Sequence, residues 1–221
     1  MLKPKRNIIS KEIEVDPLVR TMDRIEHDIE TNKKKYLNIL IAVLVIVVGG
    51  FFLNNQSKTK ELNSEIALGK ALVSLEIGDL ENAKFQFESI AGMYASTNSG
   101  KSSNYFLGKL YFDEGSFLES RSYLESYISD PSLDILNSST AIMLSSIYSN
   151  SKDVNAAFSV IKKELRSADA VQSIRLNLEL AKLYCINNDY DKAKVILDDI
   201  LGAENLDLSS KSIAQELLGS L

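Results

Sequence analysis

The chain has 221 residues, 45% of them hydrophobic, with 25 Lys and Arg against 30 Asp and Glu for a formal charge of −5. That length suits one domain of roughly 100–200 residues plus an appendage, and the acidity argues against nucleic acid, whose footprint is a clustered basic face. A single cysteine, Cys185, excludes an internal disulfide, and with only one histidine, His27, no His/Cys metal site can be assembled.

The charge is unevenly placed: residues 1–35 carry nine basic and seven acidic side chains, and the remainder is left at −7. Within this arm Val15, Leu18, Met22, Ile25 and Ile29 fall at alternating spacings of three and four, which predicts a short helix with one apolar stripe. Asp16 is its expected N-cap, with Pro17 at the first helical position. The stripe covers about two heptads, short for a coiled coil. It reads either as a docking or self-association helix, or as a marginal helix lying against a membrane or running into the segment that follows. His27 has no partner histidine or cysteine and reads as a solvated residue.

Residues 36–53 form a continuous apolar run in which Asn38 is the one strongly polar residue. A spanning helix needs about 20 apolar residues, within a range of about 17–25. Tyr36, Phe51 and Phe52 sit near the ends, where interfacial aromatics belong. The bland alternative is the core helix of a soluble protein, but such helices seldom stay uncharged for so long. Lys33, Lys34 and Lys35 abut the first end, whereas Lys58 and Lys60 are the nearest cations beyond the other. Positive charge favours the cytoplasm, so the arm is expected inside and the larger domain outside. The arm is too long for the charged region of a signal peptide, and Asn54-Asn55-Gln56-Ser57 offers no small-residue cleavage site, so the segment reads as an uncleaved anchor. Residues 54–63 follow as a linker or as the start of the first helix of a domain over 64–221.

That domain repeats. Gly78-Asp79-Leu80, Gly115-Ser116-Phe117, Lys152-Asp153-Val154 and Asn188-Asp189-Tyr190 recur at steps of 37, 37 and 36 residues. A fixed period of this size predicts stacked helical hairpins. Ala71, Gly108, Ser145 and Ala181 are small before each turn, and Ala83, Ser120, Ala157 and Ala193 are small after it, so the two helices can approach closely. Phe87, Leu124, Ile161 and Leu197 follow four residues later. Tyr111, Tyr148 and Tyr184 are large enough to fill the space between hairpins. Gly78 and Gly115 can take positive φ, and Asp79, Ser116, Asp153 and Asp189 are expected to cap the second helix of each hairpin. Leu208 to Leu221 reads as a C-terminal capping helix. The predicted class is all-α: one membrane helix, a solenoid of about four hairpins, then a cap.

This pattern resembles the tetratricopeptide repeat. The family's leucine, small residue and tyrosine match Leu107, Gly108 and Tyr111, and again Leu180, Ala181 and Tyr184. Its Gly-Asp-Tyr turn and following alanine match Gly78-Asp79-Leu80 with Ala83, and Asn188-Asp189-Tyr190 with Ala193. The resemblance covers residues 64–203, with a period longer than the family's, which is about 34 residues. The family's closing proline is missing, and only Pro131 lies near an expected position. A membrane anchor directly before such repeats resembles the YfgM-like ancillary SecYEG translocon subunits of bacterial inner membranes. That resemblance implies a cytoplasmic N-terminus, a periplasmic repeat domain, and association with the Sec translocon and periplasmic chaperones.

Catalytic and cofactor signatures are missing: there is no P-loop or Gly-x-Gly-x-x-Gly pattern, and acidic pairs such as Asp198-Asp199 fall on polar helix faces. The chain is therefore expected to bind proteins and neither to catalyse a reaction nor to hold a cofactor or metal. Variable positions on the first helix of each hairpin are the partner-binding candidates: Tyr105, Lys109, Phe112, Met143, Ser146, Asn177 and Lys182. Cys185, beside Tyr184, reads as a small packing residue. Three other readings stay open: a cell-envelope assembly or division scaffold, a structural protein that oligomerises through its arm or anchor, and an organelle-surface receptor of reversed topology. The lysines before the anchor argue against the last.

Overall fold

The computed structural model describes residues 17–203 and 206–221. Among them are ten α-helices, one 3-10 turn and no strand. The chain separates into two compact units, 1–57 and 58–221.

In the first unit α1 (Pro17–Thr31) precedes α2 (Lys33–Glu76), a helix of 44 residues that passes through the apolar segment and through residues 54–63. The expectations for Val15 and Asp16 lie outside the described residues, while Met22, Ile25 and Ile29 are exposed. Asp28 joins the two helices by accepting hydrogen bonds from the Tyr36 hydroxyl and from the Asn32 amide, which hold its carboxyl below the usual carboxylate range. The most apolar window of α2 has mean hydropathy 2.6 and is 0% buried. By length and composition the helix is long and apolar enough to cross a membrane.

The second unit holds the end of α2 followed by α3 (Leu80–Met93), α4 (Asn98–Asp113), α5 (Phe117–Ser129), the 3-10 turn (Asp134–Leu136), α6 (Asn137–Asn150), α7 (Val154–Glu164), α8 (Ala170–Ile186), α9 (Tyr190–Leu201) and α10 (Leu208–Gly219). From α3 onward each helix packs on its successor, and α4, α6, α8 and α10 also touch in series. Three residues separate the helices within each pair, against four, seven, five and six residues between pairs. Helix lengths offset the uneven connections: four residues join helices of 14 and 16 residues, and seven join helices of 13 and 14, with the same step of 37. In the longest, the Tyr127 hydroxyl donates to the Leu133 carbonyl at 2.7 Å and accepts from the Leu133 amide at 3.2 Å, closing the loop that carries Pro131.

The four turns have one backbone design. Gly78, Gly115, Lys152 and Asn188 stand at φ 80, 78, 64 and 61°. At each, the next amide bonds the carbonyl five residues back: Asp79 to Ser74, Ser116 to Tyr111, Asp153 to Tyr148 and Asp189 to Tyr184, at 2.8–2.9 Å. This left-handed close satisfies carbonyls that the end of a helix leaves open. The expected side-chain caps form at only two of four sites, Asp79 and Asp153. Ser116 makes no cap bond, and the Asp189 carboxylate is drawn away by Asn187 and Lys192.

Packing follows the small positions. Ala71, Ala83, Ser120, Ser145, Ala157, Ala181 and Ala193 are all at 0% exposure. Gly108 lies so close to α5 that a Cβ there would come within 2.5 Å of the Leu124 side chain, and its carbonyl accepts the Ser120 hydroxyl at 2.7 Å. The core is a chain of four clusters, each combining one helix pair with the next helix. Phe87, Leu124, Ile161 and Leu197 sit one in each, all at 0%. Burial is thus local to neighbouring pairs, the arrangement expected of a helical repeat.

Candidate partner-binding face

The seven candidate residues do not share one surface. Tyr105 is 7% exposed, with its ring 5.3 Å from Phe106 and 5.6 Å from Tyr127 and its hydroxyl 3.2 Å from Ser139. Met143 is 8% exposed in the same cluster. Both are core residues, a correction to the expectation. The reason is that α4 packs against three helices and α6 against four, so few positions on them remain free. Phe112 is half-buried against that cluster and edge-on to Phe117 at 5.6 Å, and Ser146 is half-buried. Lys109 is exposed and pairs with Asp113 at 2.6 Å. Asn177 faces α9, in a cavity of about 180 Å³ shared with Ile196 and Asp199.

Lys182 borders a larger cavity, about 360 Å³, between α6, α8 and the start of α10. Arg175, Glu179 and Lys182 are spaced four and three residues apart, which places them on one face of α8. Ile142, Leu178 and Ile213 supply its apolar wall. Glu179 is only 9% exposed; its carboxylate accepts the Ser145 hydroxyl at 3.1 Å and lies 3.7 Å from the Lys182 ammonium. Asp207, at the rim, caps α10 through the Ser210 amide at 2.9 Å, and bonding to Ser210 holds its carboxyl below the usual range. An apolar wall beside a half-neutralised buried carboxylate can seat an aliphatic side chain and pair with a cationic group. Sequence reading missed Glu179, although it stands where Phe106 and Met143 stand in the preceding repeats. A charge at an aligned apolar position was the signal.

The tyrosines between pairs are structural, and each has a partner the sequence reading did not anticipate. Tyr111 donates to Glu88 at 2.9 Å and Tyr148 to Glu125 at 2.7 Å, both across 23 residues. Lys84 and Arg121, themselves 37 apart, lie over the two rings at 5.5 and 4.8 Å. Burial, reinforced by the neighbouring carboxylate, pushes each phenol up to about 12. Burial also pulls Glu125 up, but hydrogen bonds from Tyr148 and Arg121 outweigh it and the carboxyl ends below its ordinary value. In the next repeat Phe158 and Lys162 take these places against Tyr184, at 4.9 and 5.6 Å. Cys185 beside it is half-buried, and burial pushes its thiol up, away from the reactive thiolate.

Compared with known proteins, the chain matches no family model and no curated protein sequence.

Proposed function

We propose that this chain is a single-pass protein of the bacterial inner membrane, with residues 1–35 in the cytoplasm and a tetratricopeptide-like domain in the periplasm that binds other proteins. The observation that carries the binding reading is the fourfold left-handed turn at Gly78, Gly115, Lys152 and Asn188. A domain built of such hairpins has no single closed core and offers long grooves between neighbouring helices. The cavity around Glu179 and Lys182 is the candidate site for a partner peptide. The resemblance to ancillary translocon subunits makes the Sec translocon and periplasmic chaperones the partners of choice. Envelope assembly or division is the alternative role for the same architecture.

The test is crosslinking in intact membranes with a photoreactive residue placed at Ile213 or Lys182, followed by identification of the product. Translocon subunits or periplasmic chaperones are the expected products. Assembly or division factors instead would move the protein to the alternative role, and no adduct at either position would remove the cavity as a partner site. Orientation is read separately with an impermeant maleimide on Asp191→Cys in a Cys185→Ser background. Labelling in intact spheroplasts is expected, and labelling only after lysis would overturn the periplasmic placement.

A further inference from the structure

The end of α2 has two apolar faces, and the second unit uses only one of them. Ser64, Ala67, Leu68, Ala71, Ser74 and Leu75 turn toward α3 and α4, buried or half-buried. On the opposite side Leu62, Ile66, Val73 and Ile77 are 57, 52, 57 and 73% exposed. Gly69 lies between them with nothing within 4 Å of a Cβ placed there. Leu62, Ile66, Gly69 and Val73 step by four, three and four residues, the seam spacing of two supercoiled helices. A solvated helix face has no reason to carry this spacing, and the same helix already meets its own core on the other side.

Charge identifies the occupant. With Leu62, Ile66, Gly69 and Val73 as the seam, Glu65 and Lys70 become the two flanking positions, five residues apart. In a parallel, in-register pair those are the positions that meet across the seam, so Glu65 of each copy faces the opposite charge of the other twice over. Neither has an ion-pair partner among the described residues. We propose that the outer face of α2 over residues 62–77 docks a second copy of this chain, parallel and in register, with Glu65 paired to Lys70 of the partner subunit. The parallel sense rests on the membrane-anchoring reading, since two copies anchored alike present the same face in the same direction. The seam is short, about two heptads, and too little to hold two free chains together. Anchoring in a shared membrane raises the local concentration enough for a weak seam to be occupied. The surface lies beyond the anchor and the arm and uses no residue of either.

The experiment uses the full-length chain in membranes, with Cys185→Ser and single cysteines at Leu62, Val73 or Leu118. Leu118 is 79% exposed on α5 and controls for general stickiness. Mild oxidation is expected to give disulfide-linked dimers at Leu62→Cys and at Val73→Cys but not at Leu118→Cys. These two positions lie about 16 Å apart along the helix, so only a parallel, in-register pair links each to itself. Linkage only between Leu62→Cys and Val73→Cys chains in a mixture would mean an antiparallel pair and overturn the proposal, as would equal linkage at all three sites. Glu65→Lys and Lys70→Glu should each weaken dimerisation by roughly tenfold, and the double exchange should restore it. No rescue would remove the charge argument and the register with it. Carbonate extraction of the same samples reads the anchor independently. A chain released from membranes that still links at Leu62 and Val73 keeps the dimer and loses the anchor, whereas a retained chain that links nowhere loses the dimer alone.

Discussion

Gly115→Ala isolates the cost of one backbone torsion. The residue closes α4 at φ 78°, and a Cβ placed there meets no atom within 4 Å. No steric contact with the rest of the fold can therefore contribute to the loss. Holding an alanine in the left-handed region costs roughly 1–2 kcal/mol, offset by about 0.4–1 kcal/mol because the unfolded chain has fewer states to lose. The net expectation is a loss of about 1 kcal/mol. Gly92 is the control: it too has nothing within 4 Å, but it lies inside α3 without positive φ. There the same substitution should stabilise, by about 0.5–1 kcal/mol. Lys152→Gly reverses the first change, since Lys152 holds φ 64° with a side chain, and should gain up to about 1 kcal/mol. Urea denaturation of the detergent-solubilised chain, followed by circular dichroism, ranks the variants. A helical repeat need not unfold in one step, so the first transition is compared under identical conditions. If Gly115→Ala proves as stable as the parent, or Gly92→Ala falls with it, the shared turn is not what closes the hairpins.

Gly108→Ala should lose about 1–2 kcal/mol despite alanine's better helix propensity, because overpacking against Leu124 outweighs that gain; adding Leu124→Val should recover part of it. Tyr111 and Tyr148 have phenols raised to about 12, so their contribution is complete below the ordinary tyrosine value near 10 and is lost as pH climbs toward 12. Ultraviolet titration should show late phenols, among them Tyr123 and Tyr127, which burial also raises, and Tyr111→Phe with Tyr148→Phe should reduce their number by two and flatten the stability loss over that window. An unchanged profile would place the loss elsewhere. Glu179→Met should raise stability by about 1 kcal/mol, read as a higher denaturation midpoint, since a buried acid gives way to an apolar group like the Met143 at the aligned position. Partner capture at the α6–α8–α10 cavity should fall at the same time; a lowered midpoint would make the carboxylate structural.

Much of this was legible along the chain because helical repeats bury their side chains against near neighbours. The period, the apolar run of residues 36–53, the small residues such as Gly108 and Ala157, and the burial of Phe87, Leu124, Ile161 and Leu197 all follow from local spacing. Lys152 and Asn188 are instructive here: they align with Gly78 and Gly115, and the structure gives them the same left-handed torsion, which was expected only of the two glycines. Surface assignment was less legible. Tyr105 lies one turn from the exposed Lys109, and only the packing of α4, α5 and α6 on one another decides that it and Met143 are core. Glu179 shows the converse, an acid that the series of α6, α8 and α10 buries. Periodicity determines which face of a helix is apolar, because side-chain direction repeats with the backbone. Which apolar or charged side chains are left uncovered depends on how many other helices arrive. The outer face of α2 is where those two kinds of information part: its spacing is written in the sequence, and its exposure is decided by the fold.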